Sequence, residues 1–254
     1  MINILLTGCN GRMGKAVTES VESNENCTIV AGIDVNDAVT TSQFPTFLST
    51  SEYTGKCDVI IDFSFHTATA PLLDYAVSKN IPIVIATTGH TEEETQYIRD
   101  VSKKIPVFYS RNMSLGINLL IALAKKACQS LGESFDIEII EKHHNMKLDA
   151  PSGTALMIAD ALKETREIET EYVYNRQPVK KKREPSEIGI HAVRGGTIVG
   201  EHEVMFAGKN EIVTLSHSAS SRNVFAEGAV RAAQFMIGKS AGLYDMNDIV
   251  SSII

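Results

Sequence analysis

Five apolar runs dominate the first 110 residues, and within each the apolar positions are continuous rather than alternating. They are "INILLTG" (2–8), "TIVAGID" (28–34), "DVIIDFS" (58–64), "IPIVIATTG" (81–89) and "IPVFYS" (105–110). A strand that is apolar on both faces needs cover on both, so these runs restrict this part of the chain to a parallel sheet wrapped by helices. The segments between them supply the helices. "GRMGKAVTESVES" places Met13, Val17 and Val21 at helical spacing, and "ATAPLLDYAVSKN" and "EEETQYIRDVSKK" are further helical segments. Thr91 with Glu94 fits a capping box at the start of the last, although Thr91 equally serves as a plain N-cap.

The pattern changes after "SRNMSLGIN". Ser114 is placed to cap a long helix through "LLIALAKKACQSL". "FDIEIIEKHH" then puts Phe135, Ile137 and Ile139 on one strand face and Asp136 and Glu138 on the other, as in a sheet with one wet face. A helix, "TALMIADALKET", and a polar segment, "EYVYNRQPVKKKREPSE", precede three strands with no helix between them: "IGIHAVR", "TIVGEHEVMFA" and "EIVTLSHS". This is α+β organisation, and it sets a domain boundary near residues 112–115. A last helix, "VFAEGAVRAAQFMIG", closes the pattern. The charge run Lys180 to Arg183 reads as a solvated loop, with a mobile element at the site mouth or a subunit contact as the other readings.

"GCNGRMG" sets Gly8, Gly11 and Gly14 directly between a strand and a helix. Glycine there permits a tight turn and close approach of a pyrophosphate, and the free N–H groups of the helix start face its oxygens. The spacing is G-x-x-G-x-x-G, with Cys9 in the usual second-glycine register. Asp34 ends the second strand, twenty residues past Gly14, where an acid meets the adenosine ribose hydroxyls. "ATTG" (86–89) and "SRNM" (110–113) lie at further strand ends, where ligands of open α/β sheets bind and where small residues leave room for a nicotinamide ring. Asp34 should repel a 2′-phosphate, and Val35 and Asn36 offer no cation to offset it, although Arg12 and Lys15 stand close by in sequence. The expected coenzyme is NADH or NADPH, with NADH at least equal.

"EKHHNMKLDAPSGTA" (141–155) packs two histidines, a lysine, an aspartate and a turn into fifteen residues. A metal site is disfavoured: adjacent His143 and His144 point to opposite faces if both lie on a strand, Lys147 adds positive charge beside any cation, and no C-x-x-C or H-E-x-x-H pattern is present. An ordinary loop stays open as a reading. Yet the cluster runs straight into a helix beginning at Gly153 and Thr154, whose N–H groups attract a carboxylate, and a histidine there can move protons near neutral pH. That combination suits an acidic small molecule. The net charge of −7 argues against a nucleic-acid or anionic-membrane partner. No apolar run approaches the roughly 18 to 20 residues of a membrane span. The start carries no basic, apolar and small-residue leader pattern. Cys9, Cys27, Cys57 and Cys128 are widely spaced, as in reduced thiols of a cytoplasmic protein.

Taken together, "EKHHNMKLDAPSGTA", "GCNGRMG", "ATTG", "NMSLGIN" and "SASSRNVFAEGAVRAA" resemble the dihydrodipicolinate (4-hydroxy-tetrahydrodipicolinate) reductase family over essentially the whole chain. The resemblance implies a Rossmann-like dinucleotide-binding domain, residues 1–114 and 223–254, and a mixed-sheet substrate and tetramerisation domain, residues 115–222. It implies that a cyclic hydroxylated dicarboxylate loses water and accepts hydride from NADH or NADPH, in the diaminopimelate and lysine pathway, where the two domains meet. By the same resemblance His143 exchanges the proton and Lys147 is the second catalytic residue. His144, Gly153 and Thr154 bind substrate. The coenzyme contacts are Gly8, Cys9, Asn10, Gly11, Arg12, Met13, Asp34, Ala86, Thr87, Thr88, Ser110, Arg111, Asn112 and Met113. The sequence departs from the family at Arg111 and at Ala86. Two alternatives are another two-domain dehydrogenase of amino-acid metabolism, against which the His-His-Lys run argues, and a dinucleotide-sensing module without catalysis.

Overall fold

The first apolar run forms β1 (Ile2–Thr7), the strand at which a parallel sheet changes direction. After it come α1 (Arg12–Glu22), β2 (Cys27–Ile33), β3 (Thr46–Phe47), β4 (Val59–Asp62), α2 (Thr69–Lys79), β5 (Ile83–Ile85), α3 (Glu92–Ser102) and β6 (Pro106–Tyr109). The computed structural model of the chain describes residues 1–36 and 43–252. With β12 (Gly242–Tyr244), these strands form one seven-stranded sheet in the order β12-β6-β5-β4-β1-β2-β3, every pair parallel. β2 lies on one side of β1 and β4 on the other, so the loops after β1 and β4 splay apart there, the switch point at which such sheets bind ligands.

The continuous apolar runs are explained by cover on both faces. Ile4, Leu5, Leu6, Ile60, Ile61, Ile83, Val84 and Ile85 are fully buried, each of the larger ones contributing about 1.5–3 kcal/mol. One face packs on α1 and on α6 (Asn223–Met236), through Val17, Val21, Ala229, Ala233 and Met236. The other packs on α2 and α3, through Leu72, Leu73, Ala76, Ile98 and Val101. The Thr91–Glu94 capping box is formed in full.

Contacts divide the chain into two units, Met1–Leu115 with Asn223–Ile254, and Gly116–Arg222. The second unit carries β7 (Asp136–His143), β8 (Glu171–Val173), β9 (Glu187–Arg194), β10 (Gly200–Ala207) and β11 (Ile212–Ala219) in the order β11-β10-β7-β9-β8. β10 is antiparallel to β7 and β11, while β9 runs parallel to β7 and β8, so the sheet is mixed. α4 (Leu115–Leu131), which begins directly after Ser114, and α5 (Gly153–Lys163) cover its buried face, with Ile121, Ala124, Ile137, Ile139, Ile158 and Phe206 in the core.

Four short elements escape the periodicity reading: β3, β8, β12 and α7 (Met246–Ser251). β8 begins the segment read as polar. The solvated-loop reading of the Lys180 to Arg183 run holds for its three lysines, which are exposed, but not for Arg183. Arg183 is largely covered, bonding Asp136 at 2.6 Å and Glu138 at 3.0 Å, and Lys181 reaches Glu187 at 3.4 Å. Arg176 also pairs with Glu187, whose carboxylate is fully buried and therefore demands cations. All four cysteines are free thiols. Among the described residues, no helix is long and apolar enough to cross a membrane, and no group of three or more His, Cys, Asp or Glu is arranged to hold a metal ion.

Candidate active site

The loop after β1 is built so that only glycine fits. Gly8 has φ +71°, and a Cβ on it would lie 2.4 Å from the Phe63 carbonyl oxygen, in the chain leaving β4. A Cβ on Gly14 would lie 2.3 Å from the Gly8 oxygen, so α1 approaches the turn at backbone distance. No acidic residue occupies the first turn of α1, and its N-terminal N–H groups keep their attraction for a phosphate. These features fit a dinucleotide pyrophosphate. Cys9 does not present its side chain there: it is buried in the core against Gly32, and only its backbone faces the loop.

Two cavities adjoin this turn. One, about 560 Å³, is lined by Gly8, Asn10, Gly11, Asp34, Val35 and Asn36 among others, and among the described residues its lining holds no lysine or arginine. The other, about 430 Å³, is lined by Met13, Ala86, Thr87, Thr88 and all of Ser110 to Met113. Of the residues expected to meet a coenzyme, Cys9 and Arg12 line neither. Phe63, Ser64 and Phe65 line both, and sequence reasoning passed over them although "DVIIDFS" ends a strand like the others. Beneath them Asp62 is fully buried. Its carboxylate accepts hydrogen bonds from Thr7 Oγ1 at 2.6 Å, Ser64 N at 2.9 Å and Thr87 Oγ1 at 2.9 Å, tying the ends of β1, β4 and β5 together. Asp34 is likewise held, accepting the N–H of Asn10 and of Asn36, both at 2.9 Å.

The second unit carries the polar cluster. β7 buries alternate residues, and the face that begins with Ile137 and Ile139 continues through Glu141 and His143. The strand ends there: the His143 carbonyl accepts from Gly195 N and the chain turns, so His144 lies beyond β7 and the opposite-faces argument does not apply to it. His144 Nε2 stands 3.3 Å from Arg222 Nη2. His143 Nδ1 lies 2.6 Å from Glu141 Oε2. Burial pushes the Glu141 carboxyl up, but Arg194, His143 and the Ser152 N–H outweigh it and hold it below the usual carboxylate range. His202 packs edge-on against His143, ring centres 5.2 Å apart, and burial drives it down to about 4, so it is uncharged at neutral pH.

Ser152 caps α5, its Oγ accepting the Ala155 N–H at 3.1 Å, which places Gly153 and Thr154 in the first turn. Lys147 Nζ is 2.8 Å from Asp149 Oδ1. Lys147 and the Gly153 N–H both hold the Asp149 carboxyl below its ordinary value. A lysine thus already rests on one carboxylate of the chain itself, just ahead of the start of α5. The arrangement offers a histidine with a buried carboxylate behind it and a cationic anchor for an acid.

A family model described as "Dihydrodipicolinate reductase, N-terminus" matches residues 2–113, and one described as "Dihydrodipicolinate reductase, C-terminus" matches residues 116–250. The chain belongs to the dihydrodipicolinate reductase family. The 4-hydroxy-tetrahydrodipicolinate reductase of Caldanaerobacter subterraneus subsp. tengcongensis is 54% identical to this reductase over 250 residues, covering 98% of both chains. That of Clostridium novyi is 48% identical over 253 residues, covering 99% of both. A solved structure, dipicolinate-bound dihydrodipicolinate reductase from Paenisporosarcina sp. TG-14, matches with a TM-score of 0.83 at 28% identity, covering 98% of this chain and 99% of the other. The reductase is thus a pyridine-nucleotide-dependent oxidoreductase with a Rossmann-like sheet. Four members of the polar cluster were not singled out in its sequence: Glu141, Arg194, His202 and Arg222. Glu141 and Arg222 lie inside the stretches that carry the family resemblance, and Glu141 also shares the parity of Ile137 and Ile139.

Proposed function

We propose that the His143 cluster performs the proton chemistry of the reduction of 4-hydroxy-tetrahydrodipicolinate, and that the glycine loop and its two cavities hold the coenzyme. The reaction is a step of diaminopimelate and lysine biosynthesis: the cyclic dicarboxylate loses water and gains a hydride and a proton, giving tetrahydrodipicolinate. The bound nicotinamide nucleotide supplies the hydride. His143 exchanges the proton, and Lys147 and His144 bind the substrate, Lys147 also acting as the second catalytic residue. Gly153 and Thr154 take a substrate carboxylate at the start of α5. The observation that carries this reading is the Lys147 ammonium resting on a carboxylate, that of Asp149, while His143 Nδ1 is held by Glu141. The dipicolinate bound in the Paenisporosarcina enzyme is a ligand of the same chemical class. In this reading Lys147 exchanges Asp149 for the substrate.

Calorimetry with pyridine-2,6-dicarboxylate in the presence of NADH tests the anchor. Thr154→Val removes one hydroxyl and keeps the shape, and it should weaken binding by about 1.5–3 kcal/mol, the worth of a hydrogen bond to a charged group. Unchanged affinity removes Thr154 from the site.

The same proposal assigns the 560 Å³ cavity to the adenosine half, with Asp34 accepting the ribose hydroxyls. With both carboxylate oxygens already fixed by backbone N–H groups, and no cation among the described residues of the cavity lining, a 2′-phosphate meets repulsion without compensation. NADH should therefore be at least as good as NADPH in kcat/KM. Val35 is exposed and lines this cavity. Val35→Arg should shift the ratio of the two kcat/KM values toward NADPH by ~10-fold, one charge-assisted contact of about 1.4 kcal/mol. A wild-type preference for NADPH of that size shows instead that Arg12 or Lys15 outweighs Asp34. A cytoplasmic homotetramer completes the proposal, and light scattering in solution checks the assembly.

A further inference from the structure

β7 carries into the core the carboxylate that stands behind His143 and touches no substrate itself. Glu141 is fully buried. Its Oε1 accepts Arg194 Nη2 at 2.7 Å and Ser152 N at 3.0 Å, and its Oε2 accepts Arg194 Nη1 at 2.7 Å and lies 2.6 Å from His143 Nδ1. An ionised carboxylate accepts only, so the hydrogen between Oε2 and Nδ1 belongs to the imidazole. The neutral ring then has its lone pair on Nε2. That nitrogen lies beside Gly200, where an added Cβ would come within 3.1 Å of it. We infer that Glu141, clamped by Arg194, is a positioning residue that fixes the Nδ1–H tautomer and ring orientation of His143, so that Nε2 alone exchanges the proton with the substrate. The inference rests on the reading of His143 as the proton-exchanging group.

Each partner has a separate part. Arg194 comes from β9, seven strand positions along from Glu187, and its two-pronged grip keeps Glu141 ionised; a protonated Glu141 would donate and lose its demand for Nδ1–H. Arg194 is itself tied to the Asp149 carbonyl at 2.7 Å, which links the clamp to the Lys147–Asp149 pair. His202, from β10, stands edge-on to the ring and is held through Ser152 Oγ at 3.0 Å, closing off a rotated imidazole. His217, from β11, lies across the register from His202, and Lys147 faces the cluster from the loop. In the forward direction the Nε2–H bond of the imidazolium breaks, its electron pair stays on Nε2, and the proton goes to the substrate. The ring is left neutral with Nδ1–H still on Glu141, and solvent returns the proton. Glu141 keeps its charge throughout.

The test is nitrogen-15 NMR on protein with labelled histidine rings, the His143 signals being those missing from the His143→Gln spectrum. At a pH where the ring is neutral, wild-type His143 should show a protonated Nδ1 and an unprotonated Nε2. Glu141→Gln turns the acceptor into an amide that can donate, and the Nε2–H form should appear. In the same variant kcat should fall roughly 10²- to 10⁴-fold, the range for losing a general acid–base or its correct tautomer. The affinities for NADH and for pyridine-2,6-dicarboxylate should stay unchanged, a split that general loosening of the unit does not give. If Glu141→Gln does not fold, the wild-type spectrum alone decides. A wild-type Nε2–H tautomer overturns the inference, and so does a folded Glu141→Gln enzyme with normal kcat. A normal kcat in His143→Gln marks a different failure, that of the proton-exchange reading itself.

Discussion

His143→Gln is expected to reduce kcat by roughly 10²- to 10⁴-fold while leaving NADH binding intact. The magnitude is that of a positioned acid–base group. Glutamine keeps much of the volume of imidazole and can still meet Glu141, so the pocket should not collapse. What it lacks is a ring nitrogen that can give a proton to the substrate and take one back. NADH binding should be spared because the glycine loop and its cavities belong to the other unit of the chain. Lys147→Ala gives the contrasting pattern, with losses in both kcat and KM, since it removes a charge that anchors the dicarboxylate. Steady-state kinetics with both substrates varied separates the two variants. A near-normal kcat for His143→Gln means the proton comes from elsewhere.

Gly8→Ala should have the converse signature. Two costs add at this position. The backbone has φ +71°, which costs a non-glycine residue about 1–2 kcal/mol. The new methyl would also sit 2.4 Å from the Phe63 oxygen and 2.9 Å from the Ser64 nitrogen, so the chain leaving β4 must move. That chain lines both cavities, and overpacking of this kind costs about 1–3 kcal/mol. Restoring the bound geometry draws on most of this sum, so the NADH dissociation constant should rise ~10²-fold, equivalent to about 2.8 kcal/mol. Gly89→Ala is the control. It also has positive φ, +87°, but an added Cβ there meets nothing within 4 Å, so only the backbone cost applies. Fluorescence titration of NADH into both variants checks this, with thermal melting to confirm that each is folded. Equal, small effects from the two changes contradict the close-approach account.

The Rossmann-like unit was legible because burial on both sheet faces leaves continuous apolar strands, and because the glycine loop must sit between the first strand and the first helix. Elements such as β3 and β12 span two or three residues and are too short to show any period. Cys9 illustrates a different limit. The family resemblance implied a coenzyme contact at this position, but side-chain direction depends on the turn, and the side chain went into the core against Gly32. In the polar cluster, His143, Lys147 and the start of α5 were readable because they are neighbours in sequence. Arg194 and His202 were not, since only the β7–β9 and β7–β10 registers bring residues 53 and 61 positions away onto Glu141 and into line with it. Arg183, at the end of the charge run, misled for the same reason: the carboxylates that capture it, Asp136 and Glu138, lie on a strand more than forty residues back along the chain.

The reductase chemistry is tested most directly by NADH consumption by the purified wild-type enzyme, with the substrate generated in situ from pyruvate and aspartate semialdehyde. Rapid oxidation with that mixture, none with common 2-oxo acids, and loss of the rate in His143→Gln are the predicted results. Binding of NADH without turnover on that mixture would contradict the account.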